Sequence, residues 1–470
     1  LPQPYYPGVN GNAAAGAGEV LDPNFRPSKS DEIDLTIQRE MPGKGILEVG
    51  YIYRRIRNEY QPLDLVGVPY MLTEGGQQFQ NAWANMYQQL AGGTASTAVT
   101  AQPFFESALG GTSSAFCTGY SSCTAAVATK ESTDILSNAS VYDMWQTLSP
   151  SFTFGRSMAS SPNCGTTVVP SISASPVPIC NQMTGIGDNT SLGYANYNGA
   201  FVSYTTSGWH GLTIRNNFTY SRTLGTQGEV QATSEFTTPN LWNIGNDYGP
   251  QPFDLKYVYN LSMLYQPPFY KGEHGVMGRI LGGWSFAPIF TASSGFPLEV
   301  NANGDCQSFG EADCSAFGNN ENAIFVSSAA IATARGAGNS VQNIGAAATV
   351  VGSSGNPANG GTGLNEFANP QAVYNAFRVP ILGIDNGTAA SGGQGVLRGL
   401  PTWNLDLQLV KNIAINERFG LQLFFTGLNV LNHVQLGDPF LDINDQADWG
   451  VLTGQSNSPR QLEFGFRFHF

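Results

Sequence analysis

Residues 462–470 read Leu-Glu-Phe-Gly-Phe-Arg-Phe-His-Phe, with an apolar side chain at every second position and Phe470 at the carboxyl terminus. Successive side chains of an extended strand point to opposite faces. Leu462, Phe464, Phe466, Phe468 and Phe470 therefore share one face, and Glu463, Gly465, Arg467 and His469 share the other. One face suits lipid and the other a wet lumen. A strand of a soluble sandwich alternates too, but phenylalanines in succession on one face, at the very terminus, fit the closing strand of a membrane β-barrel. The five apolar residues are read as the barrel-terminal insertion signal, and outer-membrane lipid and the barrel-assembly machinery are the partners that such a signal implies.

Composition points the same way. Only 12% of the 470 residues are charged, about half the share usual in soluble globular proteins, while aromatics reach 11% and glycine supplies 56 residues. The mean hydropathy of -0.14 does not argue against a membrane, because barrel strands are apolar on one face only. No apolar run of 18 or more residues occurs, so no transmembrane helix is expected. A net charge of -13 without a basic stripe argues against nucleic acid as a partner.

Alternation recurs along the chain, usually in pairs of segments. From 32 to 38, Ile33, Leu35 and Ile37 share a face; Met41-Pro42-Gly43-Lys44-Gly45 turns; Leu47, Val49, Tyr51 and Tyr53 alternate again. A second pair runs from about 197 to 204 and from 212 to 220, joined by Ser207-Gly208-Trp209-His210-Gly211. The cleanest run is at 253–265, where Phe253, Leu255, Tyr257, Tyr259, Leu261, Met263 and Tyr265 alternate, more than the ~9 to 11 residues a tilted strand needs to cross a bilayer. Its partner carries Trp284, Phe286 and Phe290, with Pro288 on the same face, a residue best tolerated at a bulge or edge. The last complete hairpin pairs Trp403, Leu405, Leu407 and Leu409 with Phe419, Leu421, Leu423 and Phe425. The fold expected is all-β, a transmembrane antiparallel β-barrel with long extracellular loops.

Connections within hairpins are short, whereas those between hairpins are long, at 57–196, 222–251, 293–401 and 429–459. Outer-membrane barrels place short turns in the periplasm and long loops outside. The cysteines Cys117, Cys123, Cys164, Cys180, Cys306 and Cys314 all fall in the two longest connections, as three sequence-local pairs among Gly, Ser, Thr and Asn. Disulfides in an oxidising compartment are the economical reading; zinc competes poorly, because His210, His274, His433 and His469 are scattered and no CxxC or HExxH spacing occurs. Leu1 opens the chain without a basic, then apolar, leader, so any export signal is expected to have been removed.

Nine strands follow from this reading, and the carboxyl terminus lies at the periplasmic end. Bacterial single-chain barrels have even strand numbers. Either further strands lie within 57–196, where 145–154 is the candidate, or this chain is the carboxyl-terminal part of a larger barrel. An open wall in lipid leaves unpaired edge groups at several kcal/mol each, so a second segment is expected to complete it.

Several stretches resemble the barrel of Oar-like TonB-dependent receptors. They are Asp22-Pro23-Asn24-Phe25-Arg26-Pro27-Ser28, Asp34-Leu35-Thr36-Ile37-Gln38-Arg39-Glu40 and Phe218-Thr219-Tyr220-Ser221-Arg222. Further along come Leu281-Gly282-Gly283-Trp284 with Ser294-Gly295-Phe296-Pro297, Trp403-Asn404-Leu405-Asp406-Leu407, and Gly427-Leu428-Asn429-Val430-Leu431-Asn432-His433. The resemblance implies a 22-stranded barrel that moves bulky substrates under TonB control, with a plug and a carboxypeptidase-regulatory-like domain before the barrel. No plug, regulatory domain or TonB box is read ahead of residue 22. The plug, or an amino-terminal barrel segment, and TonB are thus expected as partners from outside these residues.

Other chemistry is sparse. Asp442, Asn444, Asp445 and Asp448 cluster oxygen ligands that could hold calcium, but without the glycine and distal glutamate of an EF-hand loop. The sequons at Asn138, Asn189 and Asn386 are incidental in a bacterial barrel. No GxSxG elbow, phosphate loop or paired-carboxylate signature occurs, and the chain is read as a non-enzyme with no cofactor. Asp254, Lys256, Asn404, Asp406, Gln408, Glu463 and Arg467 fall on the lumen side, where polar residues line a path or simply brace the wall. Uptake is the leading function; the alternatives are a processed surface protein or subunit of a larger envelope assembly, whose stapled loops bind partners, and a β-rich soluble adhesin.

Overall fold

The computed structural model describes residues 18–64, 67–137, 139–154, 168–169, 177–178, 186–226, 240–270, 275–303, 321–326, 342–343, 350–385, 394–416 and 418–470. Nine strands form one sheet: β1 (Lys29–Met41), β2 (Gly45–Asp64), β3 (Ile186–Trp209), β4 (Leu212–Gly225), β5 (Tyr257–Tyr265), β6 (Trp284–Ser293), β7 (Thr402–Ala414), β8 (Gly420–Leu428) and β9 (Gln461–His469). Each pairs antiparallel with the next in chain order. These are the nine segments that alternate in the sequence. Two short strands, which alternation did not disclose, join the same sheet: Gly18–Leu21 pairs parallel with the start of β3, and Gly249–Pro250 antiparallel with the end of β4.

Register explains why the meander is stable as a wall. Residues directly opposite in an antiparallel pair lie on the same face. Ile37 faces Val49, Val49 faces Val202, Val202 faces Phe218 and Phe218 faces Tyr259. Farther along the sheet, Phe286 faces Leu409, Leu409 faces Phe425 and Phe425 faces Phe464. An apolar band thus runs unbroken across all nine strands. Much of it is exposed in the isolated chain, with Ile37 at 68% and Phe464 and Phe466 at 74% each. The opposite face pairs polar groups, as in Glu32 with Arg54, Asn217 with Asn260 and Gln422 with Arg467. That segregation is what an outer-membrane barrel wall requires.

Three expectations are corrected by the structure. Residues 145–154 are not a strand: Val141–Leu148 forms a helix, with Val141, Met144, Trp145 and Leu148 buried at i, i+3, i+4 and i+7. The long run at 253–265 contributes a strand only from Tyr257: the chain turns at 251–254, where Asp254 N donates to the Gln251 carbonyl at 2.8 Å, and the Asp254 carboxylate accepts from Thr223 N of β4 at 2.6 Å. Pro288 lies in the inner strand β6, at neither a bulge nor an edge; it faces Leu407, and on the other side the register is kept but the pairing skips from Ser262 with Ile289 to Tyr265 with Phe286. The gap falls on the residue that has no N–H to donate.

At one end of the wall the connections are short, and one of them carries a short helix, Gly275–Leu281. At the other end the long connections fold. Between β2 and β3 lie α1 (Phe79–Ala91), α2 (Pro103–Ala108), α3 (Cys123–Lys130), α4 (Ser132–Leu136) and α5 (Val141–Leu148). α1 buries Phe79, Ala82, Trp83, Met86 and Leu90 along one stripe. Its rings meet those of α2 and α5, with Phe79 5.3 Å from Phe104 and 4.9 Å from Trp145, centre to centre. Ile381 and Leu382, from the β6–β7 connection, complete this core. A second core, centred on Phe367 and Trp449, joins the β6–β7 and β8–β9 connections. Tyr70 donates to Asn240 at 2.9 Å, tying in the β4–β5 connection as well. The four long connections therefore interlock as one cap.

Candidate functional site: the polar wall and its cap

One joint between wall and cap is built from two of the resembling stretches, 403–407 and 427–433. Asp406 of β7 accepts hydrogen bonds from Asn404 Nδ2 and from Asn429 N, each at 2.8 Å. Asn429, at a left-handed φ of 46°, donates through Nδ2 to the carbonyls of His433 and Ser458 and accepts from His433 N at 2.8 Å. His433 stacks on Trp403 with ring centres 3.9 Å apart. Asp406 and Asn429 stand 23 residues apart in sequence; the structure makes their two stretches one corner, where β8 leaves the wall. Asp406 and Asn404 thus brace this corner rather than stand free to a solute.

A second joint is an ion pair. Asp254, fully buried, accepts from the guanidinium of Arg398, which also donates to the Asp254 carbonyl at 2.9 Å. Arg398 belongs to the β6–β7 connection, so the pair pins the cap to the start of β5. Glu463 and Arg467 are exposed on the polar face of β9, opposite Thr426 and Gln422.

The cysteine and calcium candidates have separate placements. Cys117 and Cys123 are joined by a disulfide that closes the turn before α3. Cys164, Cys180, Cys306 and Cys314 lie outside the described residues, as do Asn138, Asn386 and His274. Asp442 and Asp445 use a carboxylate oxygen each to cap the following turn, accepting from Asn444 N at 2.8 Å and Asp448 N at 3.3 Å. Asn444 donates to the Ala302 carbonyl at 2.9 Å. Among the described residues no three His, Cys, Asp or Glu side chains converge on one point.

Sequence reasoning did not disclose the cap's own features. A cleft of about 540 Å³ opens where α1 meets 383–384, lined by Thr73, Gln77, Gln78, Asn81, Asn85 and Gln88. Gln77 and Asn85 are fixed there by donating to Gln102 Oε1, at 2.8 and 3.0 Å. The lining carries amides and no ionisable group, so it suits an uncharged hydrogen-bonding solute. The spacing of Asn81, Asn85 and Gln88 on one side of a helix was the available signal, hidden until α1 itself was known. Across the same body, Glu131 is buried between α3 and α4; burial first, then the Asp134 carboxylate, pushes its pKa up to about 7. Arg378, bonded to Asp385 at 2.7 Å, is held protonated more firmly by that carboxylate.

The sequence matches the model of the outer membrane beta barrel domain family over residues 1–463. The chain belongs to that family, and the wall described above is an outer-membrane β-barrel wall. No curated protein matches it. Among solved structures it is similar to the outer membrane transporter YddB from Escherichia coli, with 8% identity over 97% of this chain and 34% of that one, at a TM-score of 0.35. The ferric-catecholate import receptor Fiu from E. coli K12 gives 8% identity over 99% of this chain and 30% of that one, at 0.32. The FrpB iron transporter from Neisseria meningitidis gives 6% over 96% and 33%, at 0.33. The chain spans about a third of the length of these proteins.

Proposed function

We propose that the chain is part of the wall and the outer cap of a TonB-dependent receptor that takes up a bulky substrate. The plug and the coupling to TonB are supplied from outside these residues. The observation that carries the reading is the two-faced wall of nine consecutive strands, unpaired along the outer edges of β1 and β9 among the described residues, with folded connections at one end only. A wall of this kind encloses a path only when other strands complete it. The apolar band meets lipid, the carboxyl terminus lies in the periplasm and the interlocked cap faces outward. The terminal strand ending at Phe470 is the part that the barrel-assembly machinery engages. The amide-lined cleft beside α1 gives an uncharged, hydrogen-bonding substrate its first contact.

Peptide mapping and intact-mass spectrometry of the native protein, solubilised in detergent, test the proposal. Peptides of a plug in the same polypeptide, ahead of Leu1, are the expected result. A mature polypeptide that starts at Leu1, in particles containing no plug, would leave a surface or envelope-assembly role in place of uptake.

A further inference from the structure

At the short-turn end, the connection between β5 and β6 forms the helix α6 (Gly275–Leu281). Its apolar side chains are turned away from the protein: Val276 is 76% exposed, Met277 59% and Ile280 57%. Leu281 joins them, and the spacing i, i+1, i+4, i+5 puts all four on one side, while Gly278 is the buried position. A seven-residue helix that shows water its apolar side is not stable by itself. Its carboxyl-terminal end is held at the wall. Trp284 Nε1 donates to the Ile280 carbonyl at 2.9 Å, and Lys411 Nζ donates to the carbonyl of Gly282. Trp284 and Lys411 face each other across β6 and β7, on the face that carries the apolar band, and the Lys411 ammonium lies 5.5 Å from the Trp284 ring centre. The helix therefore hangs from the outer side of the wall and not from the lumen side. Phe269 and Tyr270 of the same connection, and Trp209 at the end of the neighbouring β3, are half exposed.

We propose that α6 is an interfacial foot, lying in the headgroup layer of the periplasmic leaflet with Val276, Met277 and Ile280 immersed among the upper acyl chains. Its occupant is phospholipid, because its apolar side continues the apolar band through Trp284. Aromatic residues collect at this depth because one end is apolar and the other polar, and a lysine on a lipid-facing strand reaches for the nearest polar group. Here that group is the Gly282 carbonyl. Arg279 is exposed beside the apolar stripe, placed to meet a lipid phosphate. The inference rests on the assignment of the apolar band to lipid and is independent of transport.

The test uses the full chain in vesicles of phosphatidylethanolamine and phosphatidylglycerol, labelled with bimane at single introduced cysteines. M277C and, separately, I280C report on the foot; F466C reports on the wall, and K44C on the exposed β1–β2 turn at the same end. Nitroxide placed high on the acyl chain should quench M277C and I280C severalfold more than nitroxide placed near the chain end, with little quenching by aqueous iodide. F466C should respond to the lipid nitroxides and K44C to iodide alone. If F466C responds and the foot positions behave like K44C, the foot lies in water and the proposal falls. If no reagent reaches them, protein covers the helix and it falls equally. If F466C itself is reached only by iodide, it is the lipid assignment of the wall that fails.

Discussion

Gly465 occupies the polar face of β9 opposite Phe424, and the ring of Phe424 lies across it: a Cβ at that glycine would sit 2.2 Å from Phe424 Cζ. Gly50 is covered in the same way by Phe201. Pairing an aromatic ring with a glycine on the next strand lets the sheet curve without leaving the glycine's backbone bare. Gly465→Ala should therefore cost about 1–3 kcal/mol by overpacking, read as a lower urea midpoint for loss of the heat-resistant folded band on electrophoresis. Gly454, which has open space around it, serves as the neutral comparison. The Asp254–Arg398 pair belongs to the same scale. Arg398→Met leaves a fully buried carboxylate without its cation and should cost about 3–5 kcal/mol locally. Hydrogen exchange should report it as lost protection at 394–398 and 249–254, with the wall strands β8 and β9 unchanged.

Elements divide sharply in how far the sequence disclosed them. The nine wall strands were legible because each stands between lipid and a polar interior, so burial alternates with period two and nothing else competes. The cap was not legible. Its helices are short, rich in Ala, Ser, Thr and Gln, and their core is assembled from distant residues such as Phe79, Trp145 and Leu382. α5 did carry a helical period in Val141, Met144, Trp145 and Leu148, which the alternation of Trp145 with its successors obscured. The corner of Asp406, Asn429 and His433 was visible as two stretches but not as one contact. The helical body makes its own prediction about pH. Glu131 binds its proton more tightly when folded, so in the window from the ordinary glutamate pKa up to about 7 the folded state holds more protons than the unfolded one. Stability of this body should fall as pH rises through that window and level off above it. Protease nicking within 67–154 should become faster from pH 5 to pH 8, and Glu131→Gln should flatten the trend. Reducing the Cys117–Cys123 bond, which closes a six-residue separation, should cost about 2–3 kcal/mol on a chain-entropy estimate and speed the same nicking at every pH.

For the whole molecule, the two faces of the wall and the two ends of its strands define an outside, an inside, a top and a foot. The cap ties all four long connections together, so the wall is held in register at that end by two hydrophobic cores as well as by its own ladder. That the apolar band borders lipid is measured directly by nitroxide side chains placed one at a time at 462, 463, 464, 466, 467 and 468, in the native outer membrane, through collision with oxygen and with a water-soluble nickel complex; Gly465 is left out because the Phe424 ring fills its space. Strict alternation is expected: 462, 464, 466 and 468 accessible to oxygen, and 463 and 467 to nickel. Uniform access to nickel along the strand, or no period of two, would contradict it.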